Sequence, residues 1–413
     1  MIIPTRDYTQ QLMPSAPKKI FNDPVYGFVS VPVGTILCLI DHPWFQRLRR
    51  IRQLGLSYYV YPGAQHTRFH HALGALHLMQ QALSTLRDKG IDITEEECEA
   101  AQIAILLHDI GHGPFSHALE RTLIDLHHET LSNMIMEALN QEMDGALSPA
   151  LDIFNNRHPK KFLYQLVSGQ LDMDRMDYLN RDSFFTGVSE GVIGYDRIIK
   201  MLCVEDGQLV VEEKGIYSVE KFLIARRLMY WQVYLHKTSL AADQMLIHAL
   251  QRARTLVLEG HSPETPRHLA WFLHRKPDDL PHPSDILYHF SKLDDNDVIS
   301  ATKYWSESRD FILSYLSKGL LDRKLFRAEW HNSPVGDEYR AAIQARVAPL
   351  LPPEICADLF IYTGSESNRA YDDTKEPIFI FYKNGRIRPL SECSDVPVYT
   401  RLVTKYFICY PKN

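Results

Sequence analysis

Leu106-Leu107-His108-Asp109-Ile110-Gly111-His112-Gly113-Pro114-Phe115-Ser116-His117 carries an apolar helical run into an adjacent histidine–aspartate pair, then breaks at glycine and proline while still supplying histidines. A second histidine-dense stretch precedes it, Gln65-His66-Thr67-Arg68-Phe69-His70-His71. A third element, Asp172-Met173-Asp174-Arg175-Met176-Asp177-Tyr178, adds carboxylates downstream. Imidazole and carboxylate are suited to holding a borderline divalent cation. Ligands scattered this far along a chain fit a catalytic pocket better than a structural knuckle, which points to metal-dependent hydrolysis. Taken singly, a histidine in an apolar helix is more often a hydrogen-bonded core residue, and an aspartate pair a cap or a surface feature. The combination resists that reading, because burying a carboxylate and an imidazole together is costly without a compensating partner. A cation is the simplest compensator.

Neighbours in sequence rarely share one helical face, since successive residues differ by about 100°. At a helix terminus the constraint loosens. Thr94 before Glu95-Glu96-Glu97 marks a helix start, because acidic side chains favour the first turn. That helix runs apolar through Ile103 to Leu107 and is expected to stop near Gly111, leaving His108 and Asp109 at its C-terminal end. An imidazole from one helix, this pair from a second and an aspartate from a third would make a four-ligand set with positions open for water and a phosphate oxygen. A cation held there could activate water near neutral pH and polarise a phosphoryl group.

The rest of the chain supports a helical frame. Its 413 residues exceed a typical single domain, and its apolar (45%) and charged (23%) fractions are those of an ordinary soluble globular protein. A net charge of −6 gives no general attraction to nucleic acid or to an anionic membrane. The six cysteines (Cys38, Cys98, Cys203, Cys356, Cys393, Cys409) form no CxxC and no dense framework, so they read as free thiols in a reducing compartment. The N-terminus lacks the pattern of a signal peptide and no apolar run is long enough to span a bilayer, so the expected location is cytoplasmic.

Residues 1–18 read as an irregular leader and 19–33 as an extended segment or hairpin around Asn22-Asp23-Pro24 and Gly27. Asp41 is expected to cap a helix with Pro43 in its first turn. Pro62-Gly63 breaks the chain, and Leu73, Leu76, Met79, Leu83 and Leu86 mark an amphipathic helix. Further helices are expected over 129–140, 161–181 and 219–258, with a hairpin at 204–217. Proline-rich loops and a short helix fill 260–284. Residues 378–387 read as strand, Asn384-Gly385 turn and strand, with 406–410 as the partner strand. The expected fold is mainly α: a leader and extended segment (1–40), a multi-helical core (41–258) bearing a small β-hairpin, and a C-terminal α+β region (259–413) packed on it.

At the ligand residues the chain closely resembles the HD-domain phosphohydrolases, whose signature is H…HD…D with ligands on separate helices. Asn22-Asp23-Pro24-Val25-Tyr26-Gly27, Phe45-Gln46-Arg47-Leu48-Arg49, Gln53-Leu54-Gly55 and Tyr61-Pro62-Gly63-Ala64 are similar to the dNTP triphosphohydrolase branch, which includes dGTPases and the mammalian SAM- and HD-domain enzyme. So are Arg68 through Gly74, His108 through His117, and Asp172 through Asp182. The likeness extends more thinly through Lys292-Leu293-Asp294-Asp295 and 322–327. It implies an HD-domain helical core in which His71, His108, Asp109 and Asp174 hold a divalent metal ion. Manganese, iron, magnesium, zinc and nickel all suit such a set.

The same resemblance implies that His112, His117 and His128 contact phosphate or transfer protons, with Glu120 as the orienting carboxylate, one methylene longer than the branch's usual aspartate. It assigns Arg68, Arg175 and Arg226 to the polyphosphate, Arg175 replacing the usual lysine, with Lys237 a further candidate. It assigns Gln53, Tyr178, Asp182 and Tyr234 to the sugar, and Leu54 to excluding a 2′-hydroxyl. Tyr230 stands where the mammalian enzyme has a histidine, which puts base preference in question. Asp41, Gln46 and Arg49 resemble residues that bind an activating nucleotide, although Asp41 and Arg49 could equally cap and brace a helix. His66 and His70 receive no role.

These observations favour a metal-dependent enzyme hydrolysing deoxynucleoside triphosphates to deoxynucleoside and triphosphate. A phosphatase or phosphodiesterase acting on another nucleotide, and a nucleotide-binding regulatory protein, are the alternatives, since fold does not choose among them. Relatives assemble as dimers or tetramers, so a homo-oligomer is expected.

Overall fold

The structure, a computed structural model, describes residues 17–115, 117–120, 122–124, 126–275, 281–369, 371–373, 376–395 and 402–412. Helices dominate, and buried apolar residues from Val29 to Tyr410 form one contiguous cluster. Among the described residues no helix is long and apolar enough to cross a membrane.

The extended N-terminal segment is an antiparallel hairpin of β1 (Lys18–Asp23) and β2 (Gly27–Pro32). Asp23 closes its turn, Oδ1 accepting from the amides of Val25 (2.9 Å) and Tyr26 (3.0 Å). Lys18, expected in the leader, is already in β1; the first sixteen residues of that leader lie outside the described residues. Asp41 is not the expected cap. It ends the Thr35–Asp41 helix, and the His42 ring caps Pro43–Gln46 by accepting from the Trp44 amide at 3.2 Å.

Three helices frame the site: Arg68–Asp88, Glu95–Leu107 and Met173–Thr186, the first packed against both others. Thr94 starts the second through reciprocal bonds with Glu97, as its sequence requires. The helix expected over 161–181 is two, Lys161–Val167 and Met173–Thr186. The break at Ser168-Gly169 lets Asp172 turn back and cap the second helix, Oδ1 accepting from the Arg175 amide at 2.7 Å. A continuous helix would have left Asp174 without its place in a first turn.

Asp206 and Gly207, both at positive φ, turn the hairpin of β3 (Leu202–Glu205) and β4 (Gln208–Glu212); Ile216-Tyr217 open the next helix instead of extending it. The helical stretch to Leu258 is interrupted by a π-helical turn at Tyr230–Tyr234. Two further strands, β5 (Arg327–His331) and β6 (Tyr362–Asn368), precede β7 (Phe379–Phe381) and β8 (Ile387–Pro389), which are the expected pair around Asn384-Gly385. β7 adds in parallel to β4, giving the order β3-β4-β7-β8. The expected partner strand pairs elsewhere. β9 (Val403–Tyr410) lies between β5 and β6 in a separate antiparallel sheet. Its buried end, from Phe407 to Tyr410, covers the helical core instead of the β7–β8 pair.

One stabilising contact yields a pH-dependent test. Asp310 caps the Phe311–Leu321 helix through the Leu313 amide (2.8 Å) and takes a two-pronged bond from Arg252. Burial would raise its pKa, but the Arg252 hydrogen bond outweighs this and holds it below the ordinary carboxylate value. Asparagine caps nearly as well, so Asp310→Asn removes the charge pair alone, at roughly 1 kcal/mol. A depressed carboxylate stabilises above its unfolded pKa, so the cost should be full at neutral pH. It should vanish as acid protonates Asp310 through its lower folded value. Thermal melts of both proteins between neutrality and strong acid would show the difference closing; a gap independent of pH would refute the assignment.

Candidate active site

His71 lies in the first turns of Arg68–Asp88, His108 and Asp109 follow directly on Glu95–Leu107, and Asp174 is in the first turn of Met173–Thr186. Their side chains converge. Asp174 Oδ1 is 3.1 Å from His71 Nε2 and 3.4 Å from His108 Nε2. Asp109 Oδ1 is 3.4 Å from His108 Nε2, and its Oδ2 is 3.8 Å from His71 Nε2. Both rings are held from behind. His71 Nδ1 donates to Asp177 Oδ2 at 2.7 Å, and His108 Nδ1 to the Ile105 carbonyl at 2.6 Å. With the proton on each Nδ1, both Nε2 lone pairs face the carboxylates.

That arrangement supplies a test of whether a cation fits. Among the described residues the buried Nε2 atoms of His71 and His108 make no hydrogen bond of acceptable geometry, although carboxylate oxygens are close. Lone pairs opposed to carboxylates repel one another; a divalent cation between them would satisfy all four groups. In its absence the carboxylates draw protons to the rings. Burial would lower the His71 pKa, yet Asp174 and Asp177 overcome it and bring it up to about 10. Asp174 is itself held far below the ordinary carboxylate range, its burial outweighed by His108 and His71. His71, His108, Asp109 and Asp174 could together hold one divalent cation, and binding it would release protons.

The segment after Asp109 is clamped on two sides. Gly111 donates to Ser132 Oγ (2.9 Å), which donates to the His108 carbonyl (2.8 Å). A Cβ on Gly111 would lie 2.2 Å from the His128 carbonyl oxygen and from the Ser132 nitrogen, so only glycine permits this approach. On the other side Arg47, 1% exposed, donates to the carbonyls of Ile110 (2.8 Å), His112 (3.0 Å) and Leu293 (3.2 Å). Burial pushes its pKa down to about 9 against the pull of Asp294. Arg47 had no assigned role in the sequence, where only its neighbours Gln46 and Arg49 drew notice.

Beside the ligand set, the rings of His112 and His128 stack at 3.9 Å and 15°. Glu120 Oε1 lies 3.2 Å from His128 Nδ1 and 3.9 Å from His112 Nδ1, while His112 Nε2 is 3.3 Å from Asp109 Oδ1. Burial, helped by Arg68, drives the His112 pKa down to about 3; burial also lowers His128, but Glu120 more than compensates and raises it. The pair is therefore split: the same environment holds His112 neutral and shifts His128 toward its protonated form. The resemblance gave Glu120 as an orienting carboxylate without saying which ring it holds. The structure sets it against His128 and His112, and the His117 side chain lies outside the described residues.

A cavity of about 380 Å³ adjoins this cluster, its wall including Gln53, Leu54, Arg68, Tyr178, Asp182 and Tyr234. Arg68 belongs to both regions, because Nη1 donates to Asp109 Oδ2 at 2.6 Å. Tyr234 donates to Asp182 Oδ2 at 2.9 Å, Tyr178 and Tyr234 meet edge to face, and Gln53 Oε1 is buried with no partner among the described residues. Tyr230 and Glu366, the latter from β6, complete the far wall. The other expected cations are not on this wall. Arg175 turns back onto Asp172 and the Gly169 carbonyl, Arg226 donates to Gln170 Oε1 (3.3 Å), and Lys237 is exposed at the start of Lys237–Leu258.

Gln46 and Arg49 form one surface group: Gln46 donates to the Ile40 carbonyl (2.7 Å), Arg49 donates to Gln46 Oε1 (2.8 Å), and its guanidinium lies 3.5 Å over Phe69. Asp41 is exposed beside them, 3.8 Å from Lys19. The two histidines without a role acquire structural positions. His70 Nδ1 accepts from the Thr67 amide at 3.1 Å and so caps the Arg68–Asp88 helix, and His66 is buried against Asp182.

An HD domain model matches residues 68–182, and an HD associated region model matches residues 193–263. Uncharacterized protein YwfO of Bacillus subtilis is 31% identical, over 96% of this chain and 93% of that protein. The crystal structure of a phosphohydrolase from Bacteroides thetaiotaomicron superposes with a TM-score of 0.91 at 49% identity, covering 96% of this chain and all of that one. Human deoxynucleoside triphosphate triphosphohydrolase SAMHD1 is 32% identical over 57% of this chain and 44% of its own length. The chain thus spans about half the length of the triphosphohydrolase relatives it matches.

Proposed function

The chain belongs to the HD-domain phosphohydrolase family, and from that membership we propose that it is a metal-dependent hydrolase converting deoxynucleoside triphosphates to deoxynucleoside and triphosphate. The observation that carries this reading is Arg68, which lines the cavity and also donates to Asp109 of the ligand cluster. A phosphate drawn to this guanidinium arrives beside the four metal-binding side chains. A divalent cation held by His71, His108, Asp109 and Asp174 would supply Lewis acidity toward a phosphoryl oxygen and lower the pKa of a bound water.

The chain's own residues account for the rest. Water adds to the α-phosphorus while the bond to the 5′-oxygen breaks, so the leaving oxygen needs a proton. His128, whose pKa Glu120 raises, is assigned as that donor, while neutral His112 accepts a hydrogen bond or a proton from the attacking side. The buried acceptor of Gln53 and the carboxylate of Asp182 suit a sugar hydroxyl, and Tyr178 offers a face for the ribose. Leu54 bounds the space beside C2′. Asp41, Gln46 and Arg49 are assigned to an activating nucleotide, and a cytoplasmic homo-oligomer goes with this reading.

A second reading has its own support. Arg175 and Arg226 are engaged away from the cavity wall, which favours a substrate with fewer phosphates and hence phosphatase or phosphodiesterase action on another nucleotide. One assay separates the two. Purified protein is incubated with each dNTP and rNTP under Mn²⁺, Mg²⁺ or Fe²⁺, with and without dGTP, and the products are identified. Triphosphate with deoxynucleoside is the expected result; orthophosphate release would transfer the assignment to the second reading, and no turnover of any nucleotide would remove both.

A further inference from the structure

His66 belongs to the histidine-dense stretch 65–71, yet among the described residues its ring meets Asp182 and Phe185 and not the ligand cluster. Its side chain is fully buried, and Nε2 lies 2.7 Å from Asp182 Oδ1. A carboxylate can only accept, so the His66 Nε2–H donates. Asp182 Oδ2 accepts from the Tyr234 hydroxyl at 2.9 Å. Each carboxylate oxygen is thereby fixed by one protein donor and keeps a lone pair for one more. The His66 ring is held in turn, stacked on Phe185 at 4.5 Å and 16°. This contact needs the close approach of the preceding loop: a Cβ on Gly63 would lie 2.5 Å from the Phe185 carbonyl oxygen.

The backbone of His66 acts on a second wall residue. Its carbonyl accepts from the Gln53 amide at 3.0 Å, beside the Arg52–Thr67 bridge. Gln53 lines the cavity, and its Oε1 is buried with no hydrogen-bond partner among the described residues. A single buried residue thus holds Asp182 through its ring and Gln53 through its main chain, and both acceptor-bearing residues line the same cavity. Two acceptors, one of them charged, suit a hydroxyl donor and reject an analogue that lacks it, because the polar groups would then be left unpaired.

From this we infer that His66 is the positioning residue for the hydroxyl-recognising end of the cavity, setting selectivity for a nucleotide bearing a 3′-hydroxyl over its 3′-deoxy counterpart. The inference rests on the nucleotide reading above and deepens it. His66 touches no reacting atom; it works by holding Asp182 in one rotamer.

The test compares each 2′-deoxynucleoside triphosphate with its 2′,3′-dideoxy counterpart as substrate and as competing ligand, in wild type and in His66→Phe, His66→Gln and Asp182→Asn. Phenylalanine keeps a ring to stack on Phe185 but has no donor, and glutamine keeps a donor without the ring. His66→Phe should lower kcat/KM for the 3′-hydroxyl substrate by about tenfold, the scale of one charge-assisted hydrogen bond. The dideoxy compound should change by no more than about twofold, so their ratio collapses. His66→Gln should restore part of it. Asp182→Asn should collapse the ratio as well. If Asp182→Asn collapses it and both His66 variants leave it intact, the inference is overturned while the sugar reading stands. An equal loss on both compounds in the His66 variants would reduce the residue to a structural role and also overturn it. An unchanged ratio in all three variants overturns both, as does failure of wild type to bind or turn over either compound.

Discussion

Replacing His108 with alanine should leave a folded protein that no longer retains its cation and turns over substrate on the order of 1,000-fold more slowly. The size follows from the position of Nε2, buried, 3.4 Å from both Asp109 Oδ1 and Asp174 Oδ1, with no hydrogen bond of its own among the described residues. Such an atom contributes little to the folded chain by itself; its effect is expected through a bound cation. His108 is also the C-cap of Glu95–Leu107, where alanine is well tolerated. A cation that binds only the folded chain adds about 2.7 kcal/mol of stability at a hundred times its Kd. Chelator should therefore lower the melting temperature of wild type and leave that of His108→Ala where it is. Elemental analysis and melts with and without chelator check both halves. A variant with wild-type metal content and turnover would remove His108 from the ligand set.

The convergence of His71, His108, Asp109 and Asp174 was legible in the sequence because imidazole and carboxylate at a helix end have few reasons to be buried together. The turn from Asn22 to Gly27 was legible for a similar reason, since positive φ at Gly27 and the amide-accepting Asp23 side chain select glycine and aspartate. Arg47 was not legible, because its partners are three carbonyls and a carbonyl carries no residue signature. Glu366 was hidden by its strand. β6 reads Tyr-Thr-Gly-Ser-Glu-Ser-Asn, without apolar alternation, so neither the strand nor its place on the cavity wall stood out. The pairing of β9 failed for a related reason. The 406–410 stretch is strand-like, but its neighbours β5 and β6 come from distant segments, and short-range pattern cannot supply such a register. The break at Ser168-Gly169 did have a signal, a glycine followed closely by an aspartate able to cap, overridden by the apolar spacing on either side.

Asp177 is where stability and the metal site meet, and removing it should damage both. It is fully buried; Oδ2 accepts from His71 Nδ1 (2.7 Å) and Arg181 Nε (2.9 Å), and Oδ1 from Arg181 Nη2 (3.0 Å). Arg181, equally buried, continues to Asp23 Oδ2 at 2.8 Å, tying the β1–β2 turn to the site. Gly74 makes room for this chain, since a Cβ there would lie 2.0 Å from Asp177 Oδ1. Asp177→Ala would leave a buried guanidinium with one carboxylate instead of two and open a cavity beside it. Breaking a buried pair in this way costs about 3–5 kcal/mol, enough to move a denaturant midpoint plainly. Asp177→Asn separates the two effects. The amide keeps the volume and one acceptor: its oxygen in the place of Oδ2 can still accept from His71 Nδ1 and Arg181 Nε, but the negative charge that strengthens His71 as a ligand through Nε2 is gone. Metal affinity should then fall by about 10–100-fold, the usual cost of losing the carboxylate behind a ligating histidine, with a smaller loss of stability than alanine causes. Metal titration of Asp177→Asn beside denaturation of Asp177→Ala measures each contribution. Unchanged affinity in the first would show that His71 does not ligate through Nε2, and an unchanged midpoint in the second would show that Arg181 does not depend on Asp177.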